Sequence, residues 1–179
     1  MQILNDSAAQ TAGIDFQLTH SVQRFLFEEA DILDRHDFHA WLGLLTDDVT
    51  YEVVLPVTRL TRKATVSVES DTKLYDEDKG SLALRIKRFG TGAAWADDPP
   101  SRSRRIIGNV YVLEGDPSSE VLVRSNIILY RNRIDRDMSL WVASRTDRLV
   151  PAAGSWQIRA RKVVLEDATI HTKHLTTFL

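Results

Sequence analysis

Apolar residues near the start of the chain recur every three or four positions, as they do along one face of a helix. Residues 18–33 carry such a stripe, with Asp15 or Thr19 available as the N-cap. This predicts an amphipathic helix that ends near residues 35–36. Asp37 then caps a second, shorter helix, whose apolar stripe consists of Phe38, Trp41, Leu42 and Leu45. We expect these two helices to pack side by side.

The spacing of the apolar residues changes to two after the second helix, which is the period of a strand. Alternation over residues 49–55 predicts a strand that ends at Pro56. Residues 65–69 alternate briefly and predict another strand, whereas residues 70–79 are rich in charge and predict a loop.

The rest of the chain predicts one more helix, a long loop and an antiparallel meander. Helical spacing over residues 82–89 indicates the helix, and residues 90–103 contain Gly, Pro-Pro and Asp-Asp, which favour an ordered loop. Four alternating stretches separated by turn-forming residues then predict the strands of the meander, at residues 106–113, 121–131, 140–149 and 156–165.

The order of these elements favours an α+β fold. Helices come first and a long twisted sheet follows, so the helices are expected to cover the concave face of a curved, mainly antiparallel sheet. With 179 residues, the chain has the length of one domain. We expect residues 18–179 to form this single domain and residues 1–17 to form a polar N-terminal arm.

Composition excludes several kinds of chemistry. The chain has no cysteine, so it can form no disulfide, thiolate metal site or iron–sulfur ligand set, and it offers no cysteine nucleophile. Its 23 Lys and Arg nearly balance its 25 Asp and Glu, which gives no reason to expect nucleic acid as a partner. No apolar run reaches the roughly 20 residues of a membrane helix, and residues 1–15 do not resemble a secretory signal. We expect a cytoplasmic protein without membrane contact.

Two histidine pairs are the candidate metal ligands. His36 and His39, like His171 and His174, have i, i+3 spacing, and carboxylates lie near both pairs. However, His36 and His39 straddle the predicted break between two helices, and the second pair lies close to residue 179. We favour hydrogen-bonded or solvated histidines over a metal site at either pair, and we predict no metal, cofactor or catalytic residue in this chain.

The richest charged segment lies at the end of the predicted loop. Three arginines follow two aspartates and a tryptophan, a combination that suits docking because arginine forks bind carboxylates and aromatic residues act as anchors. An internal clamp, in which the arginines pair with the aspartates, fits the same residues. The candidate subunit-interface residues are Trp95, Asp97, Asp98, Arg102, Arg104 and Arg105.

This segment and several others resemble the small (beta) subunits of aromatic-ring-hydroxylating dioxygenases. The resemblance extends from about residue 18 to residue 179, and its most specific part is Trp-Ala-Asp-Asp-Pro-Pro-Ser-Arg at residues 95–102. Two positions depart from the common pattern: Arg105 stands where many relatives have His, and Lys173-His174 stands where His-Asn is common. Further matching segments are Glu28-Glu29-Ala30 with Leu33-Asp34, Trp41-Leu42, Asn109-Val110, Val123-Arg124-Ser125-Asn126, Tyr130-Arg131 and Phe178-Leu179.

The resemblance implies the cone-shaped fold of the nuclear transport factor 2-like superfamily and a role as a structural subunit. It implies a large alpha subunit as partner, in a complex of three large and three small chains in which other beta subunits also take part. That complex receives NADH-derived electrons through a reductase and often a ferredoxin, and it cis-dihydroxylates aromatic hydrocarbons with O2. The resemblance also implies that the Rieske cluster and the mononuclear Fe(II) lie in the alpha subunit, and a chain without cysteine cannot supply the two cysteines that a Rieske centre needs.

Two alternatives stay open on the residues alone. The same cone fold hosts dehydratases and isomerases that use an acid paired with His or Tyr in the lumen, the space inside the cone. Asp31, Asp48 and Tyr51 are the polar groups that could serve there. A free-standing module that binds a small ligand or a protein is the other alternative.

Overall fold

The computed structural model describes residues 16–60, 65–89, 101–133, 137–167 and 177–179. Within these ranges the chain forms three helices, and their bounds are α1 Phe16–Asp34, α2 Phe38–Gly43 and α3 Lys79–Phe89. The Asp37 side chain accepts a hydrogen bond from the Ala40 backbone N–H at 3.0 Å, which is the predicted cap of α2. All three helices were predicted from apolar spacing and are confirmed.

The strands form one six-stranded sheet in the order β2-β1-β6-β5-β4-β3. The pair β1 and β6 is parallel, and every other neighbouring pair is antiparallel. The predicted α+β architecture with a mainly antiparallel sheet and a meander from β3 to β6 is therefore confirmed. The strand bounds are β1 Leu45–Leu60, β2 Thr65–Glu77, β3 Arg102–Glu114, β4 Val121–Arg133, β5 Asp137–Ala152 and β6 Ser155–Leu165.

Two sequence-based predictions about β1 and β2 are wrong. β1 does not end at Pro56 but continues to Leu60, because the pairing with β6 stops at Val54 and Pro56 therefore faces only β2, across a register shift. The predicted loop over residues 70–79 is largely strand, since β2 runs to Glu77. Edge strands tolerate many charges, so the composition of β2 resembles that of a loop.

A bulge in β6 decides which side chains of that strand face the helices. Leu149 of β5 pairs with Ile158, whereas the preceding Arg148 pairs with Ala160, so one extra residue stands in β6 between the two pairs. The bulge shifts the alternation by one position. Ile158 and Arg161 consequently lie on the same buried face of the sheet.

The core lies between the helices and the inner face of the sheet. α1 packs across β3 and β6, and α2 contacts α1, α3 and β1. The buried stripe of α1 contains one acid, Glu29, among its apolar residues. The largest fully buried side chains include two arginines, Arg145 and Arg161, beside Trp41 and Tyr51. The lumen is thus lined by charges as well as apolar groups.

Candidate functional site

Four charged side chains meet in the lumen, and we refer to them as the lumen cluster: Glu29 of α1, Arg145 and Asp147 of β5, and Arg161 of β6. Each is at most 1% exposed. Arg161 lies between the two acids and donates to both oxygens of Glu29 at 2.5 and 2.9 Å and to both oxygens of Asp147 at 2.8 and 3.1 Å. Such paired forks are the geometry in which a guanidinium tolerates burial.

Glu29 is ionised in this environment. Burial alone would raise the pKa of its carboxyl group, but the charges of Arg161 and Arg145, with hydrogen bonds from Arg161 and from the Trp41 indole at 3.0 Å, lower the pKa to about 2. Glu29 therefore carries a full negative charge near neutral pH and has little tendency to take up a proton.

The two arginines of the lumen cluster differ in their surroundings. Burial works against the charge of Arg161, but Asp147 and Glu29 outweigh it and hold the Arg161 pKa well above its usual value. Burial and repulsion by Arg161 lower the pKa of Arg145, whose distances to Glu29 and Asp147 are 3.6 and 3.8 Å. Arg145 also donates to the Ser125 hydroxyl at 3.4 Å. The two acids and two arginines together carry no net charge.

Residues 177–179 occupy the lumen beside this cluster. The Phe178 and Leu179 side chains are at most 1% exposed, and the Phe178 ring stacks on Trp41 with the ring centroids 4.3 Å apart. The Tyr51 hydroxyl accepts a hydrogen bond from the Leu179 N–H at 2.9 Å and donates to the Leu179 backbone oxygen at 3.1 Å. Part of the lumen is therefore filled by the chain itself.

A second buried ion pair holds these residues at the wall of the lumen. Arg105 donates to the Asp34 carboxylate at 2.7 Å, to the Thr177 hydroxyl at 2.9 Å and to the Phe178 backbone oxygen at 2.7 Å. The Arg105 N–H also donates to Asp34, at 2.9 Å. Arg105 thus joins the end of α1, β3 and residues 177–179.

The outer face of β3, β4 and β5 has the opposite character. Six of the exposed apolar side chains on this face form a group, and we refer to them as the outer patch. Neighbouring members are paired across the strands, as Ile106 with Ile128 and Ile128 with Val142. Contiguous exposed apolar surface of this kind is typical of a protein contact. The outer patch consists of Ile106, Ile128, Tyr130, Met138, Leu140 and Val142.

Two of the predicted interface arginines occupy positions of β3 that are in register with this face. Arg104 pairs with Tyr130 in the register of β3 and β4, and Arg102 pairs with Asn132. The Arg104 side chain is 71% exposed, and its Nη1 atom lies 3.7 Å from Oδ2 of Asp34. An apolar centre bordered by arginines matches the composition of interfaces.

The remaining predicted interface residues are placed differently. Trp95, Asp97 and Asp98 lie outside the described residues. Arg105 was predicted to lie at a subunit interface, but its side chain is inside the chain, 1% exposed, because Asp34 and the backbone of residue 178 bind it there. Arg104 and Arg105 thus differ in burial, although the guanidinium groups of both lie near the Asp34 carboxylate.

The structure describes some, but not all, of the histidines and polar groups that were candidates for metal or acid–base chemistry. His36 lies in the turn between α1 and α2, with a positive φ of 59°, while His171 and His174 lie outside the described residues. Within the described ranges, no three His, Cys, Asp or Glu side chains are grouped to hold a metal ion, and no helix is long and apolar enough to cross a membrane.

Of the three lumen groups weighed for an independent enzyme, Tyr51 does lie in the lumen. Asp31 and Asp48 do not: both are exposed and pair with Arg35 and Arg159.

Sequence reasoning missed the lumen cluster. Arg145 and Asp147 occupy inward positions of β5 between Ala143 and Leu149, and two charges on the apolar side of a strand were the signal that could have revealed them. Arg161 gave no such signal, because strict alternation from Ile158 places residue 160 on the inside.

Solved structures similar to this chain define the class of fold. A naphthalene 1,2-dioxygenase structure is 23% identical, with a TM-score of 0.84, covering 100% of this chain and 95% of that one. The beta subunit of benzoate 1,2-dioxygenase from Burkholderia mallei is 21% identical, with a TM-score of 0.70, covering 93% and 99%. A nuclear transport factor 2-like protein with a cystatin-like fold from Novosphingobium aromaticivorans is 15% identical, with a TM-score of 0.53, covering 84% and 82%. The chain has the nuclear transport factor 2-like fold.

The family follows from a separate comparison. The family model described as ring hydroxylating beta subunit matches residues 28–172, which is most of the chain. The chain belongs to this family: it is the beta subunit of a ring-hydroxylating dioxygenase, whose partner is an alpha subunit. The resemblance drawn from residues 95–102 is confirmed.

Proposed function

We propose that this chain is a non-catalytic subunit that shapes and stabilises the oxygenase, while the alpha subunit performs the chemistry. The observation that carries the proposal is the family match over residues 28–172. In this complex, electrons from NADH pass through a reductase and often a ferredoxin to the alpha subunit, which adds both atoms of O2 to an aromatic hydrocarbon as a cis-dihydrodiol. The complex contains three alpha and three beta chains and works in the cytoplasm.

The chemistry of the side chains supports a division of labour between the two subunits. A Rieske cluster requires two thiolates, and this sequence has no cysteine, so the alpha subunit supplies the ligands of that cluster. The mononuclear Fe(II) belongs there as well. This chain's contribution is to hold the alpha subunit in position.

The state of the lumen supports a non-catalytic role. A general base works best with a pKa near the working pH, whereas the Glu29 pKa is about 2 and its oxygens are bound by Arg161. The Tyr51 hydroxyl is engaged by the backbone of Leu179 in both directions. The groups that a cone-fold dehydratase or isomerase would use are thus committed to internal contacts.

The surface that meets the alpha subunit is, in this proposal, the outer patch with Arg102 and Arg104 at its border. Burial of its exposed apolar side chains against another protein is favourable in free energy. The family to which the chain belongs gives it an alpha subunit as the partner for this contact. Arginine forks at the border suit carboxylates of the alpha subunit. Trp95, Asp97 and Asp98 precede Arg102 in the chain, and we retain them as proposed contacts on the sequence evidence.

Co-expression with the alpha subunit tests the proposal. We expect native mass spectrometry to show a complex with equal numbers of the two chains, at the mass of three of each, with iron measured only when the alpha subunit is present. The proposal fails if the beta chain never joins an iron-bearing partner, or if the beta chain alone converts an aromatic substrate or another small molecule.

Single arginine variants locate the contact surface within the same experiment. Arg104→Ala and Arg102→Ala are expected to weaken assembly by about 0.5–1 kcal/mol, because both arginines lie at the border of the outer patch, where ion pairs stay partly solvated. Arg159→Ala is the matched control, since Arg159 is also exposed but lies on β6, away from the outer patch. Equal assembly of all three variants would place the alpha subunit on another face.

A further inference from the structure

The Phe178 ring is held as a bound ligand would be. Trp41 stacks on it at 4.3 Å between centroids, Phe38 meets it edge-on at 5.6 Å, and the Arg85 guanidinium carbon lies 4.2 Å from its centroid. Arg85 also lies 4.7 Å from the Tyr75 ring centroid, so its guanidinium is placed between two aromatic rings. These are the contacts that proteins use to select an aromatic ring over an aliphatic group.

The backbone beside the ring is held by side chains from three strands. Arg105 of β3 donates to the Phe178 oxygen from Nη2 at 2.7 Å and from Nε at 3.3 Å. Tyr51 of β1 brackets the Leu179 backbone, and Arg161 of β6 donates to the Leu179 oxygen at 3.2 Å. Several buried donors converge on acceptor oxygens next to one ring, which is how small-molecule sites fix orientation.

We propose that the lumen contains a binding site for an aromatic ring flanked by hydrogen-bond acceptors, and that Phe178 of the chain itself is the ring bound there. The site selects a π face through Trp41 and Arg85, and Arg105 and Arg161 bind the adjacent oxygens. In the full chain the site is closed to free ligands because Phe178 fills it. This assignment does not depend on the function proposed above.

The site can be tested directly by removing the Phe178 ring and adding a free ring in its place. Phe178→Ala in the full chain leaves a cavity of about the size of benzene. Benzene or cyclohexane is added to this variant, and binding is measured as a change in the Tm of thermal unfolding. At ten times its Kd, benzene is expected to raise the Tm of this variant by about 3–6 °C. Benzene should bind about 2- to 30-fold more tightly than cyclohexane, since only benzene offers a π face to Arg85. An ordinary apolar cavity has no such preference, because cyclohexane buries at least as much apolar surface.

Phe25→Ala is the matched control, because Phe25 is also buried but belongs to the apolar stripe of α1. We expect neither this variant nor the wild-type protein to prefer benzene, and we expect Arg85→Met to abolish the preference in the Phe178→Ala background. Equal effects of the two probes on Phe178→Ala, or a benzene preference in the wild-type protein or in Phe25→Ala, would overturn the assignment.

A milder pair of variants keeps the test decisive if Phe178→Ala does not fold. Phe178→Leu and Phe25→Leu both retain an apolar side chain but lose the aromatic face. If the site selects a ring, Phe178→Leu lowers the Tm by several degrees more than Phe25→Leu. A Tm for Phe178→Leu that is equal to or above that of Phe25→Leu would show that position 178 needs only apolar volume, and the assignment would fall.

Discussion

Each face of strand β5 departs at two or three positions from the usual arrangement of a half-buried sheet. Arg145 and Asp147 point into the lumen, whereas Leu140 and Val142 point outwards and are exposed. An antiparallel sheet with one solvated face ordinarily places apolar residues inside and polar residues outside. The same strand therefore carries buried charge on one side and exposed apolar surface on the other.

The difference lies in what completes each face. On the inner side, charges from α1, β5 and β6 neutralise one another, and residues 177–179 add hydrogen bonds to Tyr51, Arg105 and Arg161. On the outer side, the apolar residues are exposed, and burial by another protein would stabilise them in the complex. The inner face is thus completed by the chain itself and, in the proposed complex, the outer face is covered by the alpha subunit, so substitutions on the two faces should affect different measurements.

The largest expected effect is that of Glu29→Gln on the inner face. The substitution leaves Arg145 and Arg161 with only Asp147, so one positive charge remains buried and unbalanced. Breaking a buried ion pair in this way costs about 3–5 kcal/mol. Urea unfolding of the beta chain at pH 7 should show a free energy of unfolding lowered by this amount.

Glu28→Gln is the matched control for that substitution. Glu28 precedes Glu29 on α1, but it is exposed and pairs with Arg24 at the surface. Exposed i, i+4 pairs contribute about 0.5 kcal/mol or less. If the two variants unfolded at the same urea concentration, the lumen cluster would not have the structural role assigned to it.

The contrast between the faces also explains which features the sequence reveals. Apolar spacing predicts the helices and the meander because each buries one stripe or one face, and the quoted segment at residues 95–102 predicts the family. The lumen cluster depends on pairing between residues far apart in the chain, such as Glu29 with Arg161, and on the bulge in β6, which periodicity does not show. Periodicity also does not show that Arg105 is buried, because the partner that holds it inside, Asp34, is far away in the chain.

The second largest effect is expected from acid, which should lower the free energy of unfolding through the inner face. The Glu29 pKa is about 2 in the folded chain, below its ordinary value of 4.5, so the unfolded chain binds more protons between these two pH values. The stabilisation from ionised Glu29 is therefore complete above about pH 5 and is lost as the pH falls to 2. The difference of about 2.5 pKa units corresponds to about 3 kcal/mol.

Urea unfolding between pH 6 and pH 3 measures the larger part of this contribution. The wild-type chain should lose stability more steeply than Glu29→Gln, which has no carboxyl group to protonate at this position. Parallel pH profiles for the two proteins would mean that Glu29 is not held ionised by the arginines, and the inner face would then owe its stability to packing alone.

The smallest effect on folding, and the clearest on assembly, is expected for Leu140→Gln on the outer face. Leu140 is 57% exposed in the chain, so its replacement should change the free energy of unfolding by no more than about 0.5 kcal/mol. In a complex that covers the outer patch, the same replacement buries a polar amide and should weaken binding of the alpha subunit about tenfold, or about 1.4 kcal/mol.

Leu84→Gln separates a specific contact from a general effect of losing an exposed leucine. Leu84 is 63% exposed but lies on α3, away from the outer patch. The Leu84→Gln variant should therefore assemble with the alpha subunit as the wild-type chain does. Titration of the alpha subunit, followed by native mass spectrometry, compares the two variants. If Leu84→Gln weakened assembly and Leu140→Gln did not, the partner would cover the face that carries α3. The exposed apolar surface of β5 would then need another occupant, for which a second beta chain is the first candidate to test.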